Sequence, residues 1–343
     1  MISINITYTV NIALINNIHL STDLLSLSVN LSWYINNHEG IINMKILVTG
    51  ATGLIGKALL PHLNHDEITV ISRDPARAYQ LLGHHINALD SLESLPNLDQ
   101  FDAVINLAGE PIMDKRWSEQ QKHIIEDSRW NITQQLVDKI KASDTPPQTF
   151  ISGSAVGIYG NQHDKTIDES FTIEPNNTDF SQQVCSRWEQ IALEAQSDQT
   201  RVCLLRTGIV IAKQGGALAK MLLPYQFGLG GPIGNGQQYF PWIQLQDMVR
   251  GILFLLNNSD TQGPYNMTAP NPITNRAFSA ALANTLHRPH LFFTPTWVLK
   301  CALGESSQLL LDGQRALPNK LQAAGFNFTF PCIEQALKQT LCD

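Results

Sequence analysis

The apolar positions of this chain follow two periods. Short runs rich in β-branched residues, Lys45–Thr49, Glu67–Ser72, Phe101–Gly109, Thr149–Ser152 and Arg201–Ile211, read as buried strands. Between them lie segments of helical period. Residues 118–141 place Ile124, Ile125, Ile132, Leu136, Val137 and Ile140 on one face, and Asp179–Leu193, Asn275–Leu286 and a stretch after Pro331 read as further helices. Strands alternating with helices predict an α/β fold, a Rossmann-type doubly wound parallel sheet, with a smaller C-terminal substrate-side α/β domain. The expected boundaries are an N-terminal extension over 1–43, a nucleotide-binding domain over 44–211 and a substrate-side domain over 212–343. Some exchange of elements back to the first core is expected around 240–270.

Composition narrows the classes. The 343 residues are 43% apolar and 15% charged, with a net charge of −7. That balance gives no basic footprint for nucleic acid, and no apolar span approaches the roughly 20 residues needed to cross a bilayer. Five scattered cysteines without a C-x-x-C pair point to reduced thiols in a cytoplasmic protein, with no metal site. Residues 1–43 hold Asp23 and Glu39 but no lysine or arginine, so they make a poor secretory signal. They read as a loosely ordered extension or as sequence ahead of the true start, with a partner-binding role as the alternative.

The first strand feeds Gly50-Ala-Thr-Gly-Leu-Ile-Gly56, a glycine-rich turn opening a helix. Gly50 permits the tight turn, Gly53 lets backbone approach a pyrophosphate, and Gly56 lets helix pack on strand. Thr49, Thr52, Leu54 and Ile55 complete this candidate cofactor turn. The second strand ends in Ser72-Arg73, where an NAD-binding protein would carry an acid for the ribose hydroxyls. Arg73, helped by Arg77, suits a 2′-phosphate, so NADP (NADPH) is favoured over NAD; the bland alternative is an exposed strand-end arginine. A short third strand lies between Ser72 and Phe101, and Asp90 after it is a candidate for the adenine side. Asn106, Leu107, Ala108 and Gly109 end the fourth strand with small residues that let backbone touch a cofactor. Arg129, midway along the long helix, either sits on a solvated turn or faces the crevice.

With Ser154-Ala-Val-Gly-Ile-Tyr-Gly160 after the fifth strand, the order T-G-A-T-G-L-I-G, N-L-A-G, S-A…Y-G resembles the extended short-chain dehydrogenase/reductase superfamily. Lys115-Arg-Trp117, Asp127-Ser-Arg129, Trp188-Glu189, Pro318-Asn-Lys-Leu321 and Gly325-Phe-Asn-Phe328 narrow it to an NAD(P)-binding "epimerase family" group with a short extra C-terminal domain. The resemblance implies an oxidoreductase or epimerase in which a Ser or Thr orients a carbonyl or hydroxyl. A Tyr would move the proton, helped by a Lys four residues later. Here those Tyr and Lys positions fall on Ser181 and Cys185 when Glu189 is set on the usual glutamate. Ser154 and Tyr159 remain as catalytic candidates, although Ser154 lies five residues before Tyr159 where four is common. The resemblance also places Arg206, at the end of the sixth strand, beside the nicotinamide.

On the substrate side, the loop over 224–247 carries no lysine or arginine, which argues against a sugar nucleotide. Gln244 stands where a His is common, and Asp247 is expected to cap the next helix. The partner expected is a small molecule bearing a carbonyl or hydroxyl group, with a homodimer left open. The alternative is a protein that keeps the cofactor fold as a sensor or partner-binding module without turnover.

Overall fold

The structure, a computed structural model, describes residues 43–174 and 179–342. The extension expected over 1–43 therefore lies, save for Asn43, outside the described residues. Residues 44–343 form one compact unit. Seven strands, β1 (Lys45–Thr49), β2 (Glu67–Ile71), β3 (Ile86–Leu89), β4 (Ala103–Asn106), β5 (Thr149–Ala155), β6 (Arg201–Thr207) and β7 (Gly263–Met267), pair in parallel in the order β7-β6-β5-β4-β1-β2-β3. A fully parallel sheet needs crossover connections, and most of these are helical. The helices that matter below are α1 (Leu54–Leu59), α2 (Pro75–Leu82), α3 (Glu119–Lys141), α4 (Phe180–Leu193), α5 (Gly216–Gln226), α6 (Leu245–Asn257), α7 (Asn275–Thr285), α8 (Thr296–Leu303) and α9 (Ile333–Cys342).

Side chains alternate across the sheet and divide the core in two. Ile46, Val48, Ile105, Ile151 and Leu205 pack with α1 and α6 through Leu59, Val249 and Ile252. Leu47, Val104, Phe150 and Leu204 pack on the other face with Leu136, Val137 and Ile140 of α3 and Ile191 of α4. A third cluster joins α5, α7 and α9 around Leu218, Leu222, Phe240, Trp242, Phe278 and Leu337. The predicted α3 runs as expected, and Ser118 caps it by accepting from the Gln121 amide.

β1 lies between β2 and β4, with Thr49 opposite both Ile71 and Asn106. The strand order reverses here, and doubly wound sheets open a ligand crevice at the carboxyl edge of such a point. Gly50 adopts φ +69°, and a Cβ there would fall 2.4 Å from the Leu107 carbonyl. Only glycine lets the β1 and β4 ends approach so closely.

Asp247 has a structural role, but it is not the helix cap. The cap of α6 is the Gln244 side chain, which accepts from the Gln246 amide. Asp247, fully buried in the first turn, accepts from the amides of Thr329 (2.9 Å) and Phe330 (2.8 Å) and pairs with Arg250 at 2.7 Å. It thereby ties the C-terminal tail to α6. Asp247→Ala leaves the buried Phe330 amide and the Arg250 guanidinium without their acceptor and is expected to lower the unfolding free energy by about 2–4 kcal/mol. Urea titration checks this, and a loss below about 1 kcal/mol would show that the tail is held by other contacts.

Candidate active site

The cofactor turn is built from backbone. Gly53 starts α1 with no side-chain cap, and the Gly53 amide donates to the Gly50 carbonyl at 3.0 Å. The first helical bond runs from Lys57 to Gly53, which leaves the Leu54 and Ile55 amides without an intrahelical partner. Gly53 is exposed, Thr52, Leu54 and Ile55 are half-buried, and Gly56 is buried against Ala51, whose Cα would lie 2.5 Å from an added Cβ. Exposed glycine and free first-turn amides are what a pyrophosphate needs, so the turn fits a dinucleotide.

At the β2 tip, Arg73 and Arg77 are exposed and make no ion pair among the described residues. The nearby acid in sequence, Asp74, is engaged elsewhere: its carboxylate caps α2 by accepting from the Arg77 amide at 2.9 Å. Ser72 donates to the Leu89 carbonyl through its amide, which brings the tips of β2 and β3 together, with Asp90 exposed alongside.

Other predicted cofactor residues act inside the sheet edge. Thr49 donates to Asn106 Oδ1 at 2.6 Å, and Asn106 Nδ2 donates to Thr133 at 2.9 Å; Trp188 Nε1 also donates to Thr133. Both Thr49 and Asn106 are buried, so their side chains shape the edge from within, and Leu107, Ala108 and Gly109 present the open surface. Arg129 is likewise a builder. It donates to the Ile125 and Glu110 carbonyls, both at 3.0 Å, while its guanidinium lies over the Trp188 ring. It sits so close beneath Gly109 that an added Cβ would come within 3.1 Å. Burial pulls the Arg129 pKa down, opposed by the nearby Glu110 carboxylate.

Arg206 does not face the crevice as expected. It is buried, and Nε and Nη2 donate to the two carboxylate oxygens of Glu189, each at 2.9 Å. A bidentate pair of this kind satisfies the fork of the guanidinium, and the remaining nitrogen donates to the Tyr159 hydroxyl at 2.9 Å. Burial alone would lower the arginine pKa, but the bonds to Glu189 and Tyr159 outweigh it and the net shift is upward.

Both catalytic candidates belong to this cluster. Ser154, buried, donates to Glu189 Oε1 at 2.7 Å. Tyr159, with no exposed surface, donates to Asn266 Oδ1 at 2.8 Å, and Asn266 in turn donates to the Leu317 carbonyl. Burial pushes the Tyr159 pKa up despite Arg206, the opposite of what proton transfer near neutrality requires. Glu169 extends the cluster by accepting from the amides of Asn266 (2.8 Å) and Lys320 (3.1 Å). Ser154 and Tyr159 thus hold β5, β6, β7 and the tail together.

Ala155, four residues before Tyr159, is half-exposed at the strand end, where the family pattern would place a hydroxyl. Ser181 and Cys185 face the same turn: a Cβ on Gly157 would lie 3.3 Å from Ser181 Cβ and 3.9 Å from Cys185 Sγ. Burial, reinforced by Glu189, pushes the Cys185 thiol up to about 12, so it carries no thiolate at neutral pH. No group of three or more His, Cys, Asp or Glu among the described residues is placed to hold a metal ion.

Sequence reasoning missed Glu189 as the partner of Arg206, and it missed Asn266 and Glu169 altogether. The available signal was a buried-looking strand arginine, which demands a carboxylate somewhere. Glu189→Ala leaves that arginine unpaired, and a stability loss of about 3–5 kcal/mol is expected from denaturant unfolding. In native protein, iodoacetamide followed by peptide mass mapping should modify Cys301 and Cys342, both exposed, and spare buried Cys185 and Cys203. Labelling of Cys185 at a rate comparable to Cys301 would contradict its placement.

A family model described as "NAD dependent epimerase/dehydratase family" matches residues 46–268, and a "Domain of unknown function (DUF1731)" matches 294–340. An epimerase family protein of Mycobacterium leprae (strain TN) is 38% identical over 296 residues, covering 85% of this chain and 94% of that protein. One from Staphylococcus haemolyticus (strain JCSC1435) is 36% identical over 301 residues, covering 87% and 99%. Among solved structures, human epimerase family protein SDR39U1 (isoform2) with NADPH superposes with TM-score 0.79 at 34% identity, covering 87% of this chain and 99% of that one. With the strand order reversing between β1 and β4, a glycine-rich turn beside that point and these matches along nearly all of 44–343, the chain belongs to the NAD-dependent epimerase/dehydratase family.

Proposed function

We propose that the protein binds NADPH and reduces the carbonyl group of a small-molecule substrate. The observation that carries the cofactor choice is the β2 tip, where Arg73 and Arg77 stand exposed while Asp74 is engaged in capping α2. An acid free to accept the ribose hydroxyls would favour NAD; two unpaired arginines favour a 2′-phosphate. The human relative, crystallised with NADPH, supports the same choice. NADPH would supply the hydride. A substrate carbonyl carbon would accept it and the oxygen would take a proton from water, giving an alcohol and NADP+. This chain's residues would bind and orient: the Gly50–Gly56 turn the pyrophosphate, Leu107 to Gly109 the floor, Ala155 and Ser181 the wall beside the nicotinamide.

A second reading has its own support. Ser154 and Tyr159 are committed to the Arg206–Glu189 cluster, and Ala155, Ser181 and Cys185 occupy the positions of the usual acid-base set. A protein so built would suit a cofactor-dependent sensor that does not turn over.

Titration of purified protein by intrinsic fluorescence should give tighter binding of NADPH than of NADH. Arg73→Ala should weaken NADPH about 10- to 100-fold, the worth of a charge-assisted contact, and leave NADH nearly unchanged. Tighter NADH binding in the unaltered protein would overturn the cofactor choice. Incubation of the NADPH complex with a carbonyl library should oxidise the cofactor; tight NADPH binding with no oxidation across the library selects the sensor reading.

A further inference from the structure

The lobe beyond the crevice keeps an unusual amount of apolar surface in solvent. Leu223, Phe227, Leu291, Phe292, Phe293 and Trp297 are each between 52% and 82% exposed. The aromatic rings alone, at about 150–250 Å² apiece, leave roughly 500 Å² open. With the leucines added, the patch passes the ~300–600 Å² of the largest apolar patch on an ordinary monomer. Helix α8, which carries Trp297, has no buried residue at all.

These residues are not scattered. The segments 228–234 and 289–296 run side by side: the Thr294 amide donates to the Pro232 carbonyl and the Gly234 amide to the Thr294 carbonyl, both at 2.8 Å. A Cβ on Gly231 would strike the Phe292 carbonyl. Tyr225, Ser279 and His290 brace the pair through hydroxyl–hydroxyl and hydroxyl–imidazole bonds of 2.6 and 2.8 Å, and His290 is half-buried.

Helix α5 links the patch to the proposed cofactor turn. Helix α5 begins at Gly215–Gly216, in contact with Leu54 of the glycine-rich turn. Lys220, one turn along, meets the β4–α3 loop at the Met113 carbonyl (3.1 Å) and the Asp114 carboxylate. Leu223 follows at i+3 on the same helix face, and Phe227 comes directly after the end of the helix. The other wall, α8, ends where Gly304 abuts Arg116, and Glu305 just beyond it pairs with Lys122 at 2.7 Å. One end of each helix therefore lies against the glycine-rich turn or the β4–α3 loop, and each carries exposed apolar side chains. Charge completes the picture: residues 199–246 and 261–304 contain no Asp or Glu, although the chain as a whole is acidic. Lys213, Arg276, Arg288 and Lys300 are exposed on this lobe.

We infer that this surface docks the hydrocarbon chain of the substrate, which is a long-chain carbonyl compound whose polar end is uncharged or anionic. The inference rests on the reductase reading and names its substrate class. Helix α5 spans about 16 Å from Gly216 to Gln226, the length of an extended chain of about a dozen carbons. The carbonyl end then reaches the nicotinamide side while the tail lies over Phe227 and Trp297. The absence of Lys and Arg from the loop over 224–247 fits an apolar tail and disfavours a diphosphate there.

The test uses the full chain loaded with NADPH. Binding of 11-(dansylamino)undecanoic acid, competed by straight-chain aldehydes of four to fourteen carbons, should tighten with chain length, by up to about fourfold per methylene, until the surface is filled. The double variant Phe227→Ser, Trp297→Ser should weaken the dansyl probe at least about tenfold, with NADPH affinity and circular dichroism unchanged. Affinity independent of chain length, or a double variant that binds the probe as well as the unaltered chain, overturns the inference and leaves the reductase reading standing. Chain-length-dependent probe binding without any NADPH binding has the opposite meaning: the apolar site stands and the reductase reading falls. A stable dimer by light scattering that excludes the probe, or sedimentation with phosphatidylglycerol vesicles without binding of the free probe, also overturns it.

Discussion

A buried arginine cannot be left alone. Arg206 lies at the carboxyl end of β6 with almost no exposure, and the cost of removing its charge from water is met by the Glu189 carboxylate on α4. That one pair determines the chemistry around it. The carboxylate oxygen that meets Nε also takes the Ser154 hydroxyl, and the remaining guanidinium nitrogen takes Tyr159. Tyr159 reaches Asn266 on β7, and Asn266 reaches the C-terminal tail at Leu317. Three adjacent strands, a helix and the tail are therefore locked by one ionic contact. Its consequence for function is direct: the serine and tyrosine that look catalytic are the ones the pair requires for structure.

Much of the fold was legible because it depends on local pattern. The unbroken apolar run Ile46, Leu47 and Val48 predicts a strand buried on both faces, and the spacing of Gly50, Gly53 and Gly56 predicts the turn that joins β1 to α1. The cofactor edge was partly legible. Leu107, Ala108 and Gly109 do present the open surface, but Thr49 and Asn106 turn inward to bond each other, and no local signal says which way a strand-end side chain points. Ser154 illustrates the same limit. One residue of register separates it from half-exposed Ala155, and in a strand one residue reverses the face. The partners of Arg206 and Tyr159 were not legible, since Glu189 and Asn266 are 17 and 107 residues away and are brought close only by the assembled sheet.

The uneven chemistry of the surface follows the crevice. Free arginines gather at the β2 tip, where a phosphate is proposed to bind, and acids are missing from two long stretches of the outer lobe. The cofactor end is made of backbone amides, small residues and cations, whereas the outer end is aromatic and aliphatic. A substrate whose orientation is fixed by its tail makes fewer demands on hydroxyl groups at the reacting end, because positioning by binding can replace a hydrogen bond that would otherwise orient the carbonyl.

The crystal structure of the NADPH complex tests this account most directly, through the side chains within about 3.5 Å of nicotinamide C4 and its reacting face. Arg73 is expected on the 2′-phosphate, Ala155 and Ser181 beside the nicotinamide, and Arg206, Glu189, Ser154 and Tyr159 still bonded to one another behind it. A nicotinamide stacked against a Tyr159 hydroxyl released from Arg206 and Asn266 would contradict it.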